Sequence, residues 1–226
     1  MFAGSDTTAI SLRAILYYTL KSPRVHAKLL QELSTAASAR GLSSPISWKE
    51  SQELPYLDAV VKEALRLHPA VGLPLERIVP ARGLKLSIGV FLPSSTIVGT
   101  SPWVLYRDTS IFGENVDGFI PERWLQAPNE LEEVWKARRL QMIGATFTFG
   151  AGPRTCIGKN ISLLEIYKLI PSMLLSLKVR LPLNHLAQIA KHNSQIELAN
   201  SDEVWKVRNS WFIGQGSIPV ILQAML

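Results

Sequence analysis

Apolar residues recur at helical spacing through the first third of the chain, and prolines punctuate the pattern. Ile10, Leu12, Ile15, Leu16 and Leu20 approximate a 3.6-residue period, so the spacing predicts a helix from about Ala3 to Leu20, stopped by Pro23. Ala27, Leu29, Leu30 and Leu33 predict a second, from about Arg24 to Ala37, and GLSSPIS then reads as loop. Pro55 opens a third, because its missing N–H is not needed in a first helical turn, and this helix should stop before Pro69. Within it Leu57, Val60, Val61, Ala64 and Leu65 form one stripe suited to a core. Glu63 and Arg66 fall on the opposite side, where an i, i+3 pair at a surface contributes about 0.2–0.5 kcal/mol.

The pattern then changes. From about Leu84 to Val104, segments such as KLSIGVFLP and TIVGTSPWV read as short strands with turns. Residues 107 to 130 are rich in Asp, Gly, Pro and Asn and predict a long irregular loop, which in a compact domain is usually functional or held by specific contacts. A helix is expected from about Ile157 to Leu177, kinked or restarted at Pro171, and strands from VRLPL to IPVILQAML. The fold class expected is mainly α with small β-sheets, an α+β arrangement without βαβ alternation.

Composition narrows the function. With 47% hydrophobic and 19% charged residues, the 226-residue chain can bury a core. The net charge of +6 comes without a basic run longer than KARR and without basic-aromatic interleaving, so a solvated surface is expected and no nucleic-acid partner. The most apolar run, AISLRAILYYTL, contains Arg13 and is too short to span a membrane. The single cysteine, Cys156, cannot close an intrachain disulfide or build a multi-thiolate metal site.

That cysteine lies in FTFGAGPRTCIGKN, residues 147 to 160. Gly150, Gly152 and Gly158 permit backbone conformations closed to other residues and let a flat ligand approach, while Arg154 offers a forked cation for carboxylates. The helix start behind Cys156 favours negative charge and offers N–H donors to sulfur, an environment for a coordinating thiolate. A small buried hydrophobe is the plainer alternative for a lone cysteine. GAGPRT breaks a nucleotide-binding GxGxxG at Thr155. AGSDTT, residues 3 to 8, offers either a helix cap at Ser5 or Asp6 or an acid beside an alcohol.

Taken together, these segments resemble the cytochrome P-450 superfamily of haem-thiolate monooxygenases. FGAGPRTCIG matches its FxxGxRxCxG signature at Phe149, Gly152, Arg154, Cys156 and Gly158; EALR, Glu63 to Arg66, matches ExxR. AGSDTT matches its oxygen-activation segment, and PERW, residues 121 to 124, supplies the arginine that completes the ExxR network. The resemblance implies haem b (heme b, iron protoporphyrin IX) held by Cys156 as axial iron ligand, with Phe149, Gly150 and Gly158 around it and Arg77 and Arg154 on the propionates. It implies that Asp6 and Thr7 deliver protons to dioxygen, that Ala3 and Gly4 leave room for it, and that Glu63, Arg66 and Arg123 form a buried network rather than a surface pair.

Residues 1 to 226 then correspond to a partial cytochrome P-450 domain, the C-terminal part of that fold, with the N-terminal half absent. SPWVLYRD and FGENVDGFIPERWL are similar to fungal microsomal members, the groups around pisatin demethylase and benzoate para-hydroxylase. This implies a small hydrophobic substrate and electrons from NADPH through NADPH-cytochrome P-450 reductase, with Lys136, Arg138, Arg139 and Lys159 as candidates for a basic docking face. It also implies an endoplasmic-reticulum parent anchored only through the missing N-terminal part. Two alternatives remain beside the monooxygenase: a haem-thiolate isomerase or dehydratase, against which Asp6 and Thr7 argue, and a non-catalytic remnant that does not hold haem.

Overall fold

Each of the long helices begins or ends where a proline or glycine dictates. The computed structural model describes residues 2–180, 207–208, 214–215 and 221–224. Helix α1 spans Phe2–Lys21 and α2 spans Pro23–Arg40. Pro23 sits in the first turn of α2, and Gly41 ends it in the left-handed conformation (φ 65°), returning its N–H to the Ala37 carbonyl. Ser5 and Asp6 lie within α1 and do not cap it. GLSSPIS is irregular, as expected, but leads into a short helix, α3 (Trp48–Gln52), started by a reciprocal Ser47 and Glu50 capping box.

Helix α4 (Pro55–Leu67) is the central element. Its open first turn is capped from outside: Glu32 of α2 accepts from Tyr56 N (2.8 Å) and Leu57 N (2.9 Å). Leu57, Val60, Val61, Ala64 and Leu65 are buried as the stripe requires, together with Ile15 and Leu20 of α1, Leu29 and Leu33 of α2, and Ile166 and Ile170 of α8 (Lys159–Ser176). Helix α8 continues through Pro171. A second cluster gathers Ala59, Tyr106, Phe112, Trp124 and Met142 on another side of α4, so that helix is buried almost all round.

The strands form small antiparallel pairs. β1 (Leu75–Ile78) pairs with β4 (Ile97–Thr100) in the register Leu75 to Thr100, and β2 (Leu84–Lys85) with β3 (Phe91–Leu92). β5 (Leu177–Arg180) pairs with β8 (Ile221–Ala224), and β6 (Val207–Arg208) with β7 (Gly214–Gln215). The remainder of the strand-rich tail expected from VRLPL onward lies outside the described residues.

Three local expectations change. TIVGTSPWV is a strand only to Thr100; Ser101 then caps the short helix α5 (Pro102–Leu105) by accepting from Val104 N. The irregular stretch 107 to 130 contains another short helix, α6 (Thr109–Phe112), and a 3₁₀ turn at Pro121–Trp124. The unexpected helix α7 (Glu132–Gly144) buries only Met142, so no apolar stripe marks it in the sequence. Among the described residues no helix is long and apolar enough to cross a membrane.

Candidate functional site: a cysteine loop facing α1

The ExxR spacing puts Glu63 and Arg66 one turn apart on α4, and the 3₁₀ turn 121–124 packs over them, removing both from water. Glu63 Oε1 accepts from Arg66 Nη2 (2.9 Å), Arg123 Nε (2.8 Å) and the Ile120 amide (3.0 Å). Its Oε2 accepts from Arg66 Nε (2.9 Å) and Trp124 Nε1 (2.9 Å). One fully buried carboxylate thus satisfies five donors, and the surface pair anticipated from helical spacing alone is replaced by this closed network. Arg123 also donates to the carbonyls of Phe112 and Asn115. Glu122 faces the other way and accepts from Arg24, Lys28 and Tyr56, fastening the same turn to α2 and α4; the Arg24 guanidinium holds its carboxyl at about 2.

The network continues toward the cysteine. Arg66 Nη1 donates to the Tyr106 carbonyl at 2.7 Å. The Tyr106 hydroxyl accepts from the Phe147 amide (2.7 Å) and shares a hydrogen bond with Thr148 Oγ1 (2.8 Å). Burial pushes that phenol up to about 12, so it stays protonated at neutral pH. Phe147 starts the loop; its carbonyl takes the Gly150 amide (2.9 Å), and the Phe149 carbonyl takes the Cys156 amide (2.8 Å). Gly150 (φ 70°) and Gly152 (φ 65°) supply the left-handed turns this path needs. Gly158 does not: it caps α8 at φ −83°, and a Cβ there would lie 3.8 Å from Cys156 Sγ in ordinary contact.

Cys156 is exposed, not a buried hydrophobe. It borders a cavity of about 260 Å³ that α1 also lines, through Thr7, Thr8 and Ser11. Phe149, Gly150 and Arg154 line it from the loop, and Leu75 and Arg77 from β1. The walls are tied together by Thr8 Oγ1 and Ser162 Oγ of α8, 2.9 Å apart. Ser11 Oγ donates to the Thr7 carbonyl (3.0 Å). Arg77 is exposed and donates to its neighbour's carbonyl at Glu76 (2.7 Å). Thr7 borders the cavity while Asp6, one position earlier on the helix, is exposed and outside its lining. The geometry therefore gathers Cys156, Phe149, Gly150, Arg154, Arg77 and Thr7 in one place and leaves Asp6 at its edge. Thr8, Ser11, Leu75 and Ser162 join without having been singled out in the sequence.

The cytochrome P-450 family model matches residues 1–205. The chain belongs to the cytochrome P-450 family. It is 42% identical over 222 residues to the cytochrome P-450 monooxygenase cicH of Emericella nidulans, a match covering 98% of this chain and 39% of that protein. It is 49% identical over 172 residues to a cytochrome P-450 monooxygenase of Aspergillus terreus, covering 76% of this chain and 33% of the relative. It is 43% identical over 211 residues to a pisatin demethylase of Fusarium vanettenii, covering 93% and 35%. The chain thus spans a third to two fifths of the length of these curated relatives.

Cytochromes P-450 carry haem, and the donor chemistry here fits it. Among the described residues no three of His, Cys, Asp and Glu gather as metal ligands, and a lone thiolate suits an ion whose other donors come with a macrocycle. Beside the thiol lie apolar Phe149, Leu75 and Val71, with two arginines for carboxylates. A second cavity, about 350 Å³, lies behind the loop between α4 and α8; Thr148, Phe149 and Gly150 line both cavities. The four basic residues considered for docking have separate surroundings. Arg138 turns inward to Glu130 (2.8 Å) and to the carbonyls of Arg123 and Leu125, serving the fold. Lys136 pairs with Glu132 in solvent, Arg139 lies 5.9 Å from the Trp135 ring, and Lys159 is exposed at the start of α8.

Proposed function

We propose that this chain carries the haem-thiolate site of a monooxygenase that transfers one oxygen atom of dioxygen to a small hydrophobic organic substrate. The second oxygen leaves as water, with two protons and with two electrons from NADPH delivered by a reductase. The observation that carries the reading is the exposed Cys156 thiol on a cavity that is also lined by Thr7 of α1, Arg77 and Arg154. In this reading the Cys156 thiolate would hold the haem iron, and Arg77 and Arg154 would take the propionates of haem b. The bound haem supplies an electron-rich iron at which dioxygen is reduced. Thr7 holds a proton donor in the cavity, Asp6 relays protons to it from solvent, and Phe149 shields the sulfur from water. The Glu63, Arg66 and Arg123 network keeps the loop's supports fixed.

The Asp6 and Thr7 pair favours dioxygen chemistry over an isomerase or dehydratase. The test is to load the 226-residue chain with haem and record the ferrous carbonyl spectrum of wild type and Cys156→Ala. A thiolate-type band in wild type and its loss in the variant are expected. A band of that type surviving in Cys156→Ala overturns the assignment, and no stable haem complex in wild type would mark the chain as a non-catalytic remnant.

A further inference from the structure

The stretch Phe147–Gly150 carries the carbonyl that holds the Cys156 amide, yet packing alone does not fix it. Two cavities, of about 260 and 350 Å³, border it, with Thr148, Phe149 and Gly150 lining both. A segment bordered by two cavities loses much of the dispersion contact that normally immobilises a chain, so directional bonds must set its position. Two of these come from one atom, the Tyr106 hydroxyl, through the Phe147 amide at 2.7 Å and Thr148 Oγ1 at 2.8 Å.

Tyr106 is itself held rigidly. It is 1% exposed, its ring meets Phe112 edge-on at 5.9 Å, and its carbonyl accepts from Arg66 Nη1. We infer that Tyr106 is a positioning residue for the thiol: its hydroxyl anchors residues 147 and 148, and thereby the Phe149 carbonyl that orients the Cys156 amide, linking the buried Glu63 and Arg66 network to the cysteine loop. A phenol suits this place because one oxygen can accept from an amide and still share a hydrogen bond with the threonine hydroxyl. The tie is local to the loop, since the backbone carbonyl used by Arg66 does not depend on the side chain.

The inference rests on the haem-thiolate reading for its consequence, but its structural claim can be tested without haem. In the 226-residue chain Tyr106→Phe keeps the ring and the Arg66 contact and removes the hydroxyl, leaving the Phe147 amide without its partner. Amide hydrogen exchange at Phe147 and Cys156 is expected to quicken about tenfold, with α2 and the N-terminal half of α4 unchanged. Thr148→Val, which spares the amide bond, should quicken it less. After haem loading, Tyr106→Phe should show a mixed ferrous carbonyl spectrum, part thiolate and part neutral-thiol type, and release haem to an acceptor protein about tenfold faster. Unchanged exchange at Phe147 and Cys156 overturns the inference, as does a uniform rise across all helices, which would make Tyr106 a general stability residue. If Cys156→Ala retains the thiolate-type band, the haem-ligand reading falls while the exchange result still decides the role of Tyr106.

Discussion

Replacing Glu63 by alanine tests the buried network most directly. The substitution removes an acceptor of five hydrogen bonds and, among the described residues, the one carboxylate paired with Arg66 and Arg123, whose side chains are 1% and 7% exposed. Two guanidinium groups, an indole N–H and a backbone amide are then left without their counterpart where water cannot replace it. Breaking a buried ion pair from one side costs about 3–5 kcal/mol. Against a typical total stability of about 5–15 kcal/mol, that is roughly a fifth or more of what holds a domain folded. Urea unfolding followed by tryptophan fluorescence reads it out, since Trp124 is itself one of the donors. At a slope of about 2 kcal/mol per M, the midpoint should fall by on the order of 2 M. Glu132→Ala is the control: its pair with Lys136 is about two-thirds exposed on both sides and should be close to neutral. A loss below about 1 kcal/mol for Glu63→Ala would refute the reasoning, because it would mean the network is solvated like a surface pair.

Two further outcomes follow from the structure. Burial, with smaller effects from Arg107 and Arg13, lowers the buried His68 imidazole to about 4, below its ordinary value near 6.5, so the unfolded chain binds its proton first as pH falls. Stability from this group is present above about pH 6.5 and is lost down to about pH 4; urea unfolding across that window should show a slope that His68→Phe flattens, and identical pH dependence in the two proteins would exclude it. Gly150→Ala forces a left-handed alanine and should cost about 1–2 kcal/mol, whereas Gly158→Ala, at an ordinary right-handed φ, should be nearly neutral; equal thermal shifts for the two would contradict the loop geometry.

How much of this could be read from sequence depends on how far apart the contributing residues lie. The α4 stripe was legible because five apolar positions on one helix encode their own burial. The fate of Glu63 and Arg66 was not legible from that helix, because the lid over them is the 121–124 turn, some sixty positions away; the matching family motifs supplied it. Gly150 and Gly152 served the turns expected of them, but Gly158 did not, since a glycine's permission to adopt a left-handed angle is not a requirement to do so. Tyr106 gave only a weak signal, a large aromatic with a hydroxyl that needs a partner once buried. Helix α7 gave almost none, being charged on most of its surface and anchored through Arg138 rather than an apolar face.

The hydroxyl contact between Thr8 and Ser162 joins positions 154 residues apart. On the ribosome, where roughly 5–20 residues are added each second, the first wall of the cavity waits on the order of ten seconds or more for the second to be made. Throughout that interval Ile15 and Leu20 have no α8 to cover them, and no cofactor can be enclosed between the two helices. On the haem-thiolate reading proposed above, haem capture would thus be a late event of biosynthesis, set by when α8 emerges rather than by when the α1 surface first forms.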